Sequence, residues 1–582
     1  MNDEQKQEMY RHSMSHVMAK AIKQLYPGVK LAIGPAIDNG FYYDFDNLNI
    51  TQADFDKIEA KMRDIIANNE DFVRKEVSKT EALEMFIDEP YKTELINELP
   101  LGEKITVYYT GEDFYDLCRG PHVENTKFLR GFSFKINRVN GAYWRGSEKN
   151  KMLTRIYVYG FLNKDDLKEC IRLEEEAKQR DHRKIGKEMG IFMFNDLVGK
   201  GLPMWLPKGY ILRRELSDYI IDKELALGYQ HVMTPSLGNI NLYKTSGHWE
   251  HYKEDMFPAM EVDDEGYVLR PMNCPHHMVI YKNFMHSYRD LPLRLAEIAN
   301  DFRFEASGSL CGIERTRAFT QNDSHIFCRP DQIKDEIEGV IKLILDVYKD
   351  FGFKNYKLRL SLRDKQNTDK YFGNDELWEK SEAALREILK NSGADYYEAV
   401  GEAAFYGPKI DVQVKSAIGH DITLSTVQLD YQLPERFELE YIDENNDRQR
   451  PVVIHRAILG SLDRFIAFIL EETKGLLPAW LSPVQVQIIT VNENVIPYAQ
   501  DVENKLKSLK VRVETDFSNE SVGKKIRSAV LSKSPFILVL GDKEKADGTV
   551  AVRKRGSKDT ETMPYKQFEE MLIDSIANKA LN

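Results

Sequence analysis

Arg303, Glu305, Arg315, Phe319 and His325 lie along one polar, glycine-containing stretch of the chain. Two guanidinium groups can clamp a phosphate from two sides. The carboxylate at 305 can accept a hydrogen bond from a base amine, and the ring at 319 can stack on that base. The spacing predicts two strands joined by a loop, with the arginines on the strands. Neither a Gly-rich phosphate loop nor a dinucleotide fingerprint occurs, so side chains must hold any nucleotide. Arg464 falls in the first turn of a predicted helix over 461–472, where backbone N–H groups also favour an anion. Three arginines for one triphosphate, with no obvious general base, point to phosphate-displacing adenylation. That chemistry needs positioning and charge neutralisation more than proton transfer. For each arginine taken singly, pairing with a nearby carboxylate on a solvated hairpin is the plain alternative.

Cys274, His325 and His455 offer one thiolate and two imidazoles, a set that suits Zn²⁺ and leaves a position open for substrate. Spacing alone does not gather them, and packed core residues are the competing reading. His12 and His16 are four apart and share a helix face. Cys118 and His122 are also four apart, on a segment that Gly120 and Pro121 make a loop. The two pairs could form a second zinc site, orient a water for hydrolysis, or be a surface His pair beside an unrelated loop. Tyr406, Lys409, Asp411, Thr426, Gln428 and Asp430 are polar residues at predicted strand ends that could line a pocket.

At 582 residues, about three or four domains must position these groups. A hydrophobic fraction of 42% is enough for ordinary cores. No apolar run reaches the ~20 residues of a membrane span, and the polar, acidic first residues are no signal peptide. A cytoplasmic protein without a membrane partner is expected. Five widely spaced cysteines argue against a disulfide framework; Cys170, Cys311 and Cys328 read as buried thiols. The net charge of −12 argues against nucleic acid, yet ten lysines and arginines fall between Lys524 and Lys558. A local basic surface attracts phosphate even on an acidic protein; a solvated face is the plain alternative.

A helix over 5–26 with one apolar face opens the chain. Mixed segments follow to about 165, then a highly charged helical stretch over 165–190 that reads as a connector. An amphipathic helix over 208–227 leads into a strand over 229–233 and Pro235, an arrangement suited to a dimer interface. Strands over 267–269, 294–305, 318–328 and 412–414 predict an antiparallel sheet with flanking helices. After a boundary near 478–483, the tail alternates strand and helix as a small α/β domain with a largely parallel sheet.

Taken together, these strings resemble the bacterial-type threonyl-tRNA synthetases, which are class II aminoacyl-tRNA synthetases, over nearly the whole chain. Arg303-Phe-Glu305 resembles the second class motif, Gly460 to Arg464 the third, and the helix and strand ending at Pro235 the first. The segments around Cys274, Phe319 to His325, Tyr406 to Asp411 and His455 resemble the threonine enzyme in particular. The fold implied is α+β and multidomain: an N-terminal α+β editing domain (1–165), a helical linker (166–190), a class II catalytic domain built on an antiparallel sheet (191–480) and an α/β anticodon-binding domain (481–582).

The resemblance implies that Cys274, His325 and His455 hold one zinc per subunit. It implies that Arg303, Glu305, Arg315, Phe319, Gln428 and Arg464 hold ATP with Mg²⁺, and that Gln321 and Asp323 lie by the amino-acid pocket, Asp323 taking the substrate ammonium. Arg303, Arg464, Gln321 and Asp323 are the catalytic set. His12, His16, Lys92, Asp116, Cys118 and His122 are implied as an editing site, and Asn519, Glu544 and Arg553 as anticodon readers. The implied partners are tRNA(Thr), L-threonine, ATP and a second copy in a homodimer. Such chains often begin with a small ubiquitin-like domain; this sequence opens directly on the editing region, so reduced tRNA contact is expected. Thr423 stands where some relatives carry glutamine, and no substrate contact is carried over to it.

The expected reaction joins threonine to the tRNA 3′ end through threonyl-adenylate and hydrolyses mischarged seryl-tRNA(Thr). An apolar pocket separates threonine from its isostere valine by only ~10²-fold, whereas a metal can test for the hydroxyl. Serine keeps the hydroxyl, and one missing methyl is worth ~1–3 kcal/mol, so a second, hydrolytic site is needed. A ligase with a different acceptor and an RNA-binding regulator are the competing readings. The basic tail argues against the first, and the retained arginines and zinc ligands argue against the second.

Overall fold

In the computed structural model, the described residues are 3–581, apart from 101, 368–369, 372–373, 393–394, 418 and 420. The chain divides into two compact units, Met1–Glu176 and Ala177–Asn582. The division falls inside the helix Lys164–Arg180 and not ahead of it.

In the first unit the helix Asp3–Leu25 is buried along its middle on every side. Only one apolar face was expected. Arg11, Ser13, His16 and Lys20 go inside with the apolar residues because each finds a partner or a ring neighbour. Arg11 Nε donates to the Gly160 carbonyl at 2.9 Å, and Lys20 donates to Glu70 at 2.5 Å and to the Thr110 carbonyl at 3.0 Å. The helix lies against a five-stranded antiparallel sheet whose main path runs Lys30–Leu31, Gly40–Asp46, Met152–Phe161, Ser133–Tyr143. A separate three-stranded sheet, Phe72–Val77, Ile105–Thr110 and Tyr115–Leu117, delivers the loop carrying Cys118 and His122.

The second unit is built on an eight-stranded sheet. Its order is Gln230–His231, Leu293–Phe302, Ala318–Cys328, Val452–Ser461, Asp421–Asp430, Lys409–Lys415, Tyr356–Leu362, Tyr396–Val400. All neighbours pair antiparallel except the outermost pair at each end. Alternation along the strands fixes which residues share a face. Ile326, Ile454, Val427 and Ile410 point into a core with Ile337, Val340 and Ile344 of the helix Ile333–Asp350. The opposite face carries a row of cross-strand partners: His325 beside His455, His455 beside Gln428, Gln428 beside Lys409. Residues directly opposite one another point the same way, so four polar groups face one cleft.

Several expectations change. Arg303, Glu305 and Arg315 lie on the loop beyond Phe302 and not on strands, because the pairing with Phe319 and Ala318 ends at Asp301 and Phe302. Glu265–Leu269 belongs to a small three-stranded sheet of its own. The charged stretch over 165–190 is two helices broken at Asp181. The second, His182–Met189, is no mere connector: Ile185 and Met189 join the main core. The tail forms a five-stranded sheet in which Val513–Asp516, Val486–Thr490 and Phe536–Leu540 are parallel, while Thr549–Lys554 and Glu561–Pro564 run antiparallel, and its core is separate.

Gly460, next to last in the strand Val452–Ser461 that carries His455, has a φ of +60°, and a Cβ there would fall 2.5 Å from the Leu424 carbonyl oxygen. Backbone cannot yield as a side chain tip can, so Gly460→Ala is expected to cost about 1–3 kcal/mol. The measurement is thermal unfolding; an unchanged midpoint would contradict this close approach.

Candidate active site

The cleft over the polar row encloses about 360 Å³ and is lined by Cys274, Arg303, Arg315, Phe319, Gln321, Asp323, Gln428, His455 and Arg464, among others. At its floor, one ligand atom each from Cys274, His325 and His455 lies within 4.8 Å of the others. The two imidazoles come from directly opposed strand positions. Cys274 opens the helix Cys274–Lys282 and is buried.

Hydrogen bonds fix which nitrogen each imidazole offers. His455 Nε2 meets Asp430 Oδ2 at 2.8 Å; the carboxylate can only accept, so Nε2 carries the proton and Nδ1 keeps a lone pair. His277 Nε2 meets Glu297 Oε2 at 3.1 Å, and His277 Nδ1 meets His325 Nδ1 at 2.8 Å. With Glu297 accepting from His277, His277 accepts from His325, and His325 Nε2 keeps its lone pair. His325 Nε2 and His455 Nδ1 are both buried and reached by no hydrogen bond; Asp323 Oδ2 lies 3.7 Å from His325 Nε2. Buried orphan acceptors are costly, and a cation bound by both, with the Cys274 sulfur, would satisfy them. Burial pushes the Cys274 thiol well above its usual range, and Asp323 and Asp301 add to the shift. A cation would reverse that preference. The donor set, one sulfur and two imidazoles with held outer nitrogens, fits zinc.

Asp323 is buried beside this floor. Burial, and Asp301 after it, hold its carboxyl well above the normal carboxylate range, so it lacks a positive partner that an ammonium would supply. Gln321 and Asp323 alternate with His325 on one face of the regularly paired strand Ala318–Cys328, so both line the cleft. Tyr406 donates to Gln428 Oε1 at 3.0 Å. Lys409 is paired with the buried Asp411 at 3.0 Å, which Arg359 and Ser361 also engage.

Arg303 lies over the Phe319 ring at 5.0 Å and over Tyr252 at 5.8 Å. Arg315 Nε pairs with Glu305 Oε2 at 2.8 Å, so these two face each other and not a ligand. Arg464 is near the start of the helix Leu462–Thr473, its amide bonded to the Ser461 cap at 3.2 Å and its Nε to the Glu314 carbonyl at 3.2 Å. Burial depresses its guanidinium, with Arg303 and Arg315 contributing against Glu314. An arriving polyanion would relieve that excess of positive charge.

The first unit gathers a second cluster. Cys118 Sγ lies 3.2 Å from His12 Nε2 and 3.1 Å from His122 Nε2, and His16 and His122 have ring centroids 4.2 Å apart. Burial pushes the Cys118 thiol up to about 12 and lowers all three histidines, so the cluster is neutral near pH 7. Lys92 and Asp116 pair at 2.5 Å, both buried, with the Tyr43 hydroxyl on each of them.

In the tail, Asn519 is exposed between strand and helix, and Arg553 is half-buried on Thr549–Lys554. Glu544 accepts from the Gly541 amide at 2.9 Å, capping its own helix. Part of the basic run is spent internally: Lys525 donates to the Thr490 carbonyl at 3.0 Å, and Arg555 to the Leu477 carbonyl at 2.6 Å. Asp430 was expected only to line a pocket and not to hold His455, while His277 and Glu297 were not expected at the site at all. His277 adjoins quoted residues, but nothing in the sequence singles out Glu297.

An antiparallel sheet with arginine-bearing loops at one cleft, and no phosphate loop, defines the chain as a class II aminoacyl-tRNA synthetase. Family models agree: tRNA synthetase class II core domain (G, H, P, S and T) matches residues 257–473, anticodon binding domain residues 485–575, and threonyl and alanyl tRNA synthetase second additional domain residues 105–157. The threonine–tRNA ligase of Anoxybacillus flavithermus is 54% identical over 576 residues, covering 98% of this chain and 88% of its own. That of Staphylococcus carnosus is 55% identical over 575 residues, again covering 98% and 88%. The crystal structure of the RNA binding domain of threonyl-tRNA synthetase from Cryptosporidium parvum Iowa II is similar, with a TM-score of 0.65 and 38% identity over 68% of this chain and 98% of that one. The chain belongs to the threonine–tRNA ligase family.

The hydrogen bonds outside the thiol–imidazole cluster generate a prediction. Asp430→Asn and Glu297→Gln should each weaken divalent metal binding about 10–100-fold, read by Co²⁺ absorption in competition with a chelator. Unchanged affinity in both would show that the outer bonds do not set the donor nitrogens.

Proposed function

We propose that this ligase activates L-threonine with ATP and passes it to the 3′ end of tRNA(Thr) in the second unit, and hydrolyses seryl-tRNA(Thr) in the first. In this division 1–165 edits, 166–190 links, 191–480 catalyses and 481–582 receives the anticodon, with Asn519, Glu544 and Arg553 as readers. The observation that carries the reading is the convergence of His325 Nε2, His455 Nδ1 and Cys274 at the floor of the same cleft that Arg303, Arg315 and Arg464 line.

Cys274, His325 and His455 would hold one zinc per subunit, and a bound zinc would supply a Lewis-acid position that tests for the threonine hydroxyl. Asp323 takes the substrate ammonium, which returns its carboxyl to the ionised form. Gln321 and Gln428 orient the amino acid and the nucleotide. Phe319 stacks on the adenine, and Glu305 accepts from the base amine once Arg315 releases it. Arg303, Arg315 and Arg464 then neutralise the triphosphate, which arrives with Mg²⁺. A threonine carboxylate oxygen attacks the α-phosphorus, the bond to the bridging β-oxygen breaks, and pyrophosphate leaves. A hydroxyl at the tRNA 3′ end next attacks the acyl carbon, AMP leaves with the electron pair of the mixed anhydride, and the hydroxyl proton passes to the departing phosphate. The arginines act by fixing geometry and charge before the reaction, so no protein base is needed for the first step.

In the editing cluster, His12, His16, Cys118 and His122 orient a water against the seryl ester as neutral hydrogen-bonding groups. Water adds to the carbonyl carbon, the ester C–O bond breaks, and its proton passes to the tRNA oxygen. Lys92, held by Asp116, offsets the charge on the carbonyl oxygen.

Large apolar side chains of the second unit, Leu225, Leu227, Met233, Phe284 and Met285, are exposed, which supports a homodimer. A charging enzyme works in the cytoplasm with the tRNA pool, and no helix among the described residues is long and apolar enough to cross a membrane.

Aminoacylation with threonine, serine and valine side by side tests the reading. Threonine should charge, valine should fail at activation, and seryl-tRNA should appear only in Cys118→Ala, with threonine charging spared. Cys274→Ser should abolish threonine-dependent pyrophosphate exchange. Valine activation comparable to threonine, or undiminished seryl-tRNA hydrolysis by Cys118→Ala, would contradict it.

A further inference from the structure

His182, Asp181 and Glu471 bring three metal-competent atoms together, but both ring nitrogens of His182 are already engaged. Its Nε2 lies 3.2 Å from the Ile313 amide, which can only donate, so Nε2 is the acceptor. Nδ1 therefore carries the proton and gives it to Glu471 Oε1 at 2.7 Å. The ring is 2% exposed, and the two bonds fix which nitrogen donates and which accepts. A metal would have to break one of these bonds.

The two bonds join the start of the helix His182–Met189 to both elements that carry cleft arginines. Ile313 is fully buried in the loop that ends on Arg315. The loop closes on itself there: the Cys311 and Arg315 backbones exchange hydrogen bonds at 3.2 Å, and the Glu314 carbonyl accepts from Arg464 Nε. Gly312 has a φ of +48°, and a Cβ there would sit 2.1 Å from His182 Nε2, so the imidazole packs directly against the loop backbone. Glu471 is in the last turn of the helix whose first turn holds Arg464. Arg180 adds bonds to the Glu471 and Glu472 carbonyls at 2.8 and 2.7 Å.

We infer that His182 is a positioning residue for ATP: by accepting from the Ile313 amide, it holds the loop that presents Arg315 and the Glu314 carbonyl, and so fixes two of the three cleft arginines. The inference rests on the reading of the cleft as the ATP site. His182 touches no substrate and no reacting atom. Asn and Gln separate its two bonds. Gln at 182 can place an oxygen where Nε2 stands and accept from Ile313; Asn can place an amide where Nδ1 stands and reach only Glu471.

The test is threonine-dependent ATP–pyrophosphate exchange by the full chain and its His182→Ala, His182→Gln and His182→Asn variants. Loss of one net hydrogen bond corresponds to about a five- to tenfold change, so His182→Ala should raise KM for ATP by about that factor. KM for threonine should stay within about twofold, as expected for a defect confined to nucleotide binding. His182→Gln should restore most of the ATP affinity and His182→Asn should not. Seryl-tRNA hydrolysis should be unchanged in all three. If His182→Ala fails to fold, the comparison of Gln with Asn decides alone. An unchanged KM for ATP, equal rises for ATP and threonine, or rescue by Asn as good as by Gln would overturn the assignment. Absence of exchange in the unsubstituted protein would instead overturn the ATP reading itself.

Discussion

A buried imidazole must place two nitrogens, and on adjacent strands of a packed sheet each of them needs a partner. His325 and His455 meet that constraint side by side. Each has one nitrogen bound from behind, through His277 to Glu297 and directly to Asp430. The other nitrogen of each points forward, bare, toward the same sulfur. The lone pairs are therefore set before any cation arrives. Burial alone would raise the Glu297 carboxyl, yet His277, the Thr234 amide, Arg270 and Asn273 together hold it down to about 2. The chain of hydrogen bonds thus ends on a firmly ionised acceptor, which is what keeps the proton order from reversing.

The same cleft is unbalanced electrostatically in two opposite senses. Its floor has a buried carboxyl at Asp323 lacking a positive partner, and its rim has three arginines of which Arg464 is depressed by burial. An amino acid with its ammonium inward and a polyphosphate along the rim relieves both. That division separates recognition from activation: thiol, imidazoles and Asp323 read the side chain and amine, while the arginines hold the leaving group. The editing cluster is built on the contrary principle, with neutral groups near pH 7 and one internally paired lysine–aspartate couple, as suits water activation better than anion binding.

Much of this was legible in the sequence. Arg303, Phe319, His325 and Arg464 could be assigned to one site from the motif strings, and the helix carrying His12 and His16 from its apolar spacing. Gathering Cys274 with His325 and His455 needed either the family resemblance or the sheet register, because contact between strands so distant in sequence leaves no trace in spacing. Glu297, and the role of Asp430 as the partner of His455, were invisible for a related reason: an acid on a strand reads the same whether it faces water or a histidine. The charged stretch before Gly190 misled because its few apolar residues, Ile185 and Met189, are the ones that pack. Arg303 and Arg315 were placed on strands because apolar alternation continues past Phe302, whereas the ladder stops there.

Zinc-edge X-ray absorption on the purified protein tests the central claim most directly. One sulfur and two imidazole nitrogens should surround the metal, and threonine should alter the remaining light-atom shell while valine leaves it unchanged. A spectrum without a sulfur scatterer, or one that responds alike to threonine and valine, would contradict the account.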